Sequence, residues 1–429
     1  MTSPRQRTRI AIACQGGGSH TAFTAGVLKR LFGSAEMSGY EVVGLSGTSG
    51  GAVCALLTWS ALVDGDPQQV GPALERFWVE NSANTPFERL VNTWLLGMST
   101  LQNLGAAPAV SPYDSPVAAL DQFRALLVGQ LDFDRIAVDA SARLPMLLIG
   151  AVDVLSGQFQ AFNSRRDRIT ADTVLASAAI PSLFPAVQTD GGTYWDGLFS
   201  QNPPVRELID TEPDEIWVIQ INPTERVEEP RSVIEIADRR NELAGNLSLY
   251  QELHFIEEID HLLEQGLLTP GGKYKHIVVR IIELSRSRSS AVLGPASKLN
   301  RDAAFIQELI GDGEQQAAEF LTALHFEDAW ARHDAEGVSR FLAGDAEARS
   351  GAPFPERGPV RGQTAIHDFL RDHFASGVCM DLSRKQVTRD HVTWTARGVV
   401  DGTGAVVRGT CEVTFRGQVA TSLVLGDSG

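Results

Sequence analysis

Three features of this 429-residue chain predict an α/β fold with a mostly parallel sheet, followed by a smaller α+β domain. Apolar runs at 10–14, 40–45, 145–154, 216–221 and 277–282 alternate with helical stretches. Such alternation builds a parallel sheet covered on both faces. The first two runs end in glycine-rich turns that open helices. From about residue 325 the order changes, with helices first and strands after, so the domains are expected at 1–323 and 324–429.

The first strand, 10–14, runs into Gln15-Gly16-Gly17-Gly18-Ser19-His20 and then a helix-like stretch at 25–32. Three successive glycines let backbone N–H groups converge on one point, which suits a phosphate or an oxyanion. A dinucleotide site would want GxGxxG and an acid about 20 residues on. Here Thr21 holds the third glycine position, and the next strand ends at a serine turn instead. That turn, Gly47-Thr48-Ser49-Gly50-Gly51, lies between the strand at 40–45 and an Ala/Leu-rich helix at 52–59. A GxSxG corner between strand and helix exposes a serine hydroxyl at a helix N-terminus, where the dipole favours negative charge on its oxygen.

Between 87 and 116 lies Trp94-Leu95-Leu96-Gly97-Met98, then a Gly/Ala/Pro-rich run. These residues suit core packing of a short helix, or else a mobile apolar lid meeting lipid. Farther on, Ser177-Ala178-Ala179-Ile180-Pro181-Ser182-Leu183-Phe184-Pro185 leads to Tyr194-Trp195-Asp196-Gly197 and Asn202-Pro203-Pro204-Val205. An Asp-Gly pair closing an aromatic strand is by itself an ordinary turn.

The four segments together, in this order, resemble the patatin-like phospholipase family over residues from about 10 to about 321. The resemblance implies a lipid acyl hydrolase on a three-layer α/β/α fold, working with a Ser/Asp dyad and no histidine. Carried over by motif, Ser49 is the nucleophile, Asp196 the general base that also orients it, and the N–H groups around Gly16, Gly17 and Gly18 the oxyanion hole. Many members have a basic residue and then glycine two and three positions after the triplet; this chain has His20 and Thr21. Backbone donors carry most of the oxyanion stabilisation, so the hole is expected to survive, while head-group contacts or rate differ.

The chemistry explains the residue types. A serine hydroxyl is a poor nucleophile until a base takes its proton, and a carboxylate serves only where dry surroundings raise its proton affinity. An acyl-enzyme on Ser49 would be released by water, or passed to a competing alcohol. A rival is the Ser-His-Asp triad of α/β-hydrolases, in which the histidine follows the acid; His254, His261 and His276 qualify by order. That fold usually places several strands before its elbow, however, and His254 and His261 fall in a Glu/Leu-rich helical stretch at 242–268, which suits a solvated face. A non-catalytic lipid-binding scaffold is the third reading, opposed by the intact Ser49, Asp196 and glycine triplet.

Past the closing helix at 315–324 come helices at 326–333 and 336–342, a Pro/Gly loop, a helix at 364–374, then strands. The strand at 407–415 alternates strictly, with Val407, Cys411, Val413 and Phe415 on one face. The segments FEDAWARHDAEGVSRFL and GPVRGQTAIHDFL resemble SnoaL-like members of the nuclear transport factor two superfamily, which implies a cone-shaped α+β domain that holds a small apolar ligand, performs acid/base chemistry or pairs two copies. Trp330 and His333 at helical spacing suit packing and surface, and a homodimer through this domain is expected.

At 43% hydrophobic and 21% charged, the chain suits a globular enzyme of two domains. A net charge of -16 opposes nucleic acid and long-range attraction to anionic membranes, leaving a lipid or fatty-acyl ester as the expected partner, with transient lipid-surface contact. No run reaches bilayer length, and the strand at 10–14 is too short for the apolar core of a secretory signal. Cys14, Cys54, Cys379 and Cys411 make no CxxC pair, so reduced thiols in a cytoplasmic protein are expected, with no metal or cofactor.

Overall fold

The computed structural model describes residues 7–426 except 104–110, 115–117, 137, 140–141, 182, 225, 227–228, 285–292, 294–295, 353–355, 376–378, 388–390 and 400–405. Its contacts divide the chain inside one long helix. The first compact unit is Met1–Ile277 with Leu284–Glu314, and the second is Val278–Glu283 with Gln315–Gly429. The sequence alone predicts a single division at 323/324.

The first unit contains β1 (Thr8–Cys14), α1 (Ala22–Phe32), β2 (Tyr40–Thr48), α2 (Gly50–Val63), α3 (Val70–Asn81), α4 (Pro86–Asn103) and α5 (Ala118–Gln130). There follow β3 (Met146–Asp153), β4 (Phe159–Asn163), α6 (Ala171–Ala178), β5 (Val187–Thr189), β6 (Gly192–Asp196), β7 (Glu215–Gln220) and α7 (Val233–Glu264). Its strands run in the order β7-β1-β2-β3-β6-β5, with β4 beside β3. β7, β1, β2 and β3 are mutually parallel, while β4, β5 and β6 join as antiparallel neighbours.

The central strands read as continuous apolar runs because both their faces are covered. Ile10, Ile12, Leu45, Leu147, Ile149, Trp217 and Ile219 are all fully buried. Gly44 and Gly47 of β2 point to opposite faces, the first toward Leu208 and Thr211 and the second toward Gly51 and Ala52 at the start of α2. Helix α2 is apolar almost all round and correspondingly buried along most of its length. Helix α7 starts at a capping box, in which the Ser232 hydroxyl and the Glu235 carboxylate exchange bonds with each other's backbone N–H.

Register brings the working ends of the parallel strands level. Cys14 lies opposite Gly47 and Ile219, and Thr48 opposite Gly150. The turns after β1, β2 and β7 therefore emerge side by side at the C-terminal edge of the sheet, the edge at which open α/β sheets bind ligands.

The second unit comprises β8 (Val278–Glu283), the later part of α8 (Ala303–Ala331), α9 (Ala335–Ser339), β9 (Leu342–Ser350), β10 (Arg357–Arg361), α10 (Gln363–Ala375), β11 (Cys379–Val387), β12 (His391–Val399), β13 (Val406–Arg416) and β14 (Val419–Gly426). The strand order is β10-β9-β14-β13-β12-β11-β8. Cys411, Val413 and Phe415 are buried as the alternation predicted. Phe326 of α8 sets its ring 6.2 Å from Phe415 and 6.0 Å from Trp330, and Trp330 is 5.1 Å from Phe374. His333 is exposed and stacks on Phe374 at 5.1 Å. Arg280 of β8 makes a buried two-pronged pair with Glu327 of α8, at 2.6 and 2.7 Å.

Two expectations are corrected here. The helices predicted at 315–324 and 326–333 are one helix, α8, because no proline or glycine stands between them to stop it. The Pro/Gly loop after residue 342 contains β9 and β10. The inward positions of β9 include Ala346, Ala348 and Ser350, small residues that give little strand signal. No described helix is long and apolar enough to cross a membrane.

Candidate active site

Ser49 closes β2 and caps α2 with φ 56 and ψ -129, a left-handed region that non-glycine residues rarely enter. Strain of this kind persists only where the surroundings hold it. Here the Ser49 N–H donates to the Ser177 hydroxyl at 2.9 Å, and that hydroxyl donates to the Gly150 carbonyl of β3 at 2.6 Å. The preceding Thr48 hydroxyl donates to the Gln201 carbonyl at 2.6 Å. The elbow is thus fixed from both sides by residues more than a hundred positions away, and its serine sits at the positive end of a 14-residue helix.

Asp196, the last residue of β6, is essentially fully buried. One carboxylate oxygen accepts the Leu198 N–H at 2.8 Å. Burial pushes the carboxyl up from near 3.8 to about 7, against the opposing pull of the Leu198 N–H and the Ser49 side chain, both of which favour the anion. The structure thus brings Ser49 and Asp196 into interaction, and it gives the acid a proton affinity suited to exchanging a proton near neutral pH.

The glycine loop lies against the elbow. A side chain on Gly16 would meet the Thr48 carbonyl at 2.5 Å and the Ser49 Cβ at 3.0 Å, so this position has room only for hydrogen. The Gly16 N–H donates to Asn202 Oδ1 at 2.7 Å, which leaves Gly17 and Gly18 as the loop N–H groups with no acceptor among the described residues. His20 is buried, with its ring nitrogen 2.7 Å from the Ser297 hydroxyl and its ring 6.1 Å from Phe305. It therefore ties the loop to the segment around 297 and does not reach out toward solvent.

The loop beyond Asp196 is held by α7. Gln201 donates to Glu252 at 2.8 Å, and the other Glu252 oxygen accepts the N–H groups of Val205 and Arg206 at 2.5 and 2.7 Å. At the far side, Gln15 Oε1 accepts the N–H groups of Ile221 and Asn222 at 2.8 and 2.7 Å, stitching the loop after β1 to the turn after β7. The sequence alone assigns no role to Ser177, Asn202 or Gln15, although all three stand inside the motifs described above.

The candidate histidines are engaged elsewhere. His254 is 68% exposed beside Glu257 and Glu258, exposed His261 meets Gln265 at 2.7 Å, and His276 is 53% exposed, 3.4 Å from Asp260. A cavity of about 450 Å³ lined by Phe32, Met37, Tyr40, Leu62 and Pro145 opens where β2 and β3 begin, at the end of those strands remote from Ser49. Of the apolar segment in α4, the side chains of Trp94, Leu95 and Met98 and the run 104–110 lie outside the described residues; Leu90 and Val91 are exposed. Cys14, Cys54 and Cys411 are free and buried, and burial pushes their thiols up; the Cys379 side chain lies outside the described residues. Among the described residues there is no cluster of three or more metal-ligating side chains.

Comparison with known proteins agrees with the two-part reading. The family model for patatin-like phospholipase matches residues 12–209, and that for the SnoaL-like domain matches residues 323–423. The chain therefore carries a patatin-like phospholipase domain followed by a SnoaL-like domain. None of the curated proteins matches the chain. Among solved structures, an NTF2-like protein of unknown function from Mesorhizobium loti is 18% identical, with a TM-score of 0.24, over 26% of this chain and 92% of that one. An NTF2-like protein from Burkholderia xenovorans is 21% identical, with a TM-score of 0.22, over 25% and 87%.

Proposed function

We propose that this chain, with its patatin-like phospholipase domain, is a serine acyl hydrolase that cleaves lipid or fatty-acyl esters, of the phospholipase A or carboxylic-ester type, through Ser49 and Asp196. The observation that carries this reading is a buried carboxyl with a proton affinity near neutrality, interacting with a serine held at φ 56 on a helix N-terminus. Asp196 as carboxylate accepts the Ser49 proton while the serine oxygen bonds to the ester carbonyl carbon. The carbonyl oxygen takes the negative charge, met by the N–H groups of Gly17 and Gly18. Collapse of the tetrahedral species breaks the bond to the alcohol oxygen, which leaves with the proton from Asp196. Water then attacks the acyl-enzyme, giving its proton to Asp196, and the fatty acid departs as the proton returns to Ser49. The exposure of His254, His261 and His276 and their other partners favour this dyad over a histidine triad.

The free thiols suit a reducing cytoplasm, and the chemistry above calls for no cofactor. The second unit is proposed to pair two copies of the chain. Its edge strand β10 carries Arg357 and Arg361, charges that blunt edge-to-edge pairing, so a sheet face is the better candidate for the contact. Intact-protein mass after treatment with a fluorophosphonate tests the central claim. The wild type should gain one adduct and Ser49→Ala none; an adduct on Ser49→Ala would assign the nucleophile elsewhere.

A further inference from the structure

We propose that Asn202 is a positioning residue for the oxyanion loop, fixing the first of its three glycines so that the next two present their N–H groups to the substrate. The inference rests on the Ser49–Asp196 reading and adds a residue to it. Asn202 has no exposed surface, and its side-chain oxygen accepts the Gly16 N–H at 2.7 Å across 186 positions of sequence. That oxygen and the Ser49 Cβ each lie 3.0 Å from where a Gly16 side chain would start, so the amide, the loop and the nucleophile meet at one place.

The rest of the Asn202 segment is anchored without this bond. Its own N–H donates to the Ser248 hydroxyl at 3.2 Å, the Gln201 carbonyl accepts from Thr48, and Glu252 holds Gln201, Val205 and Arg206. The amide oxygen is therefore committed to the loop and not to the folding of its own segment. A glycine triplet has wide backbone freedom. A peptide free to turn at Gly16 would carry the Gly17 and Gly18 donors away from the carbonyl oxygen they are to meet, and misplacement on the scale of an ångström costs on the order of a hundredfold in rate. Asn202 also follows Asp196 by six residues, so one segment holds both the base and the clamp of the oxyanion loop.

The test compares Asn202→Ala and Asn202→Leu with the wild type, the leucine keeping the side-chain volume. Both should lower kcat by on the order of tenfold to a hundredfold with KM within about threefold. They should weaken a fatty-acyl trifluoromethyl ketone, which forms an oxyanion on Ser49, by the same factor, and leave the corresponding ether analogue bound as before. Hydrogen exchange supplies a readout of the bond itself: the Gly16 amide is protected in the wild type and exchanges faster in either variant. The inference is overturned by a folded variant with kcat within about threefold of wild type, by equal losses for ketone and ether, or by a wild-type Gly16 amide that exchanges at the rate of open chain. The last measurement needs no variant to fold. Absence of fluorophosphonate at Ser49 in the wild type would sink the dyad itself, whereas labelling at Ser49 with an unimpaired leucine variant would sink only the role of Asn202.

Discussion

Replacing Asp196 by asparagine should abolish turnover and, above neutral pH, make the first unit more stable. The folded carboxyl titrates at about 7 because it is buried, against near 3.8 in the unfolded chain. A raised acid binds its proton more tightly when folded, so its contribution is favourable below the unfolded value and is lost as pH rises through the folded one. At about pH 8 the native state must bear a buried anion, and the gap of roughly three pKa units corresponds to about 4 kcal/mol. Asparagine is nearly isosteric and keeps an oxygen for the Leu198 N–H, so the variant escapes that cost. For a unit of this size the gain corresponds to roughly 5 °C in melting temperature. Calorimetry of both proteins at several pH values reads it directly. The difference should be close to nil near pH 4, grow between about pH 4 and 7, and level off above. In parallel, kcat/KM of the wild type should rise with pH to a plateau above about 8. A stability difference independent of pH, or an asparagine variant that still turns over, would refute the assignment of Asp196 as a buried base.

Replacing His254, His261 or His276 singly by alanine should leave hydrolysis of fatty-acyl nitrophenyl esters within about tenfold of wild type, where loss of a true general base costs on the order of a thousandfold or more. A loss of that size in a folded variant would revive the triad. Light scattering on the full-length protein at micromolar concentration should give twice the chain mass, and a monomer there would end the proposal that the second unit pairs two copies.

The site was legible wherever the chemistry demanded a residue type in a local pattern. Ser49 between glycines, the triplet at Gly16 and the Asp196-Gly197 corner each report a backbone constraint that only certain residues meet. Strands β3 and β7 were legible too, since buried parallel strands are continuous apolar runs. Ser177 and Asn202 reach by side-chain hydrogen bonds to backbone 128 and 186 residues away, and nothing local distinguishes such a serine or asparagine from one in a turn. Strand β10 was hidden by Gly358 and Pro359, which argue against a strand in the middle of a sheet and are tolerated at its edge.

Strand β8 belongs to the second unit by its contacts, yet it is made early. Its partner strand within that unit, β11, begins to appear about a hundred residues later, with Arg384 opposite Val279. At ribosomal rates of about 5 to 20 residues per second, the run Val278-Val279-Arg280-Ile281-Ile282-Glu283 waits roughly 5 to 20 seconds on a growing chain before β11 can pair with it. Four aliphatic residues with high strand propensity would invite pairing with a neighbouring chain during that delay. Arg280 and Glu283 interrupt the run with charge, which discourages such pairing until α8 delivers Glu327 and β11 arrives. The same arginine that ends as half of a buried ion pair thus serves first as a guard on the nascent polypeptide, and a chain cut at 323 would keep the guarded strand without ever making β11 or Glu327.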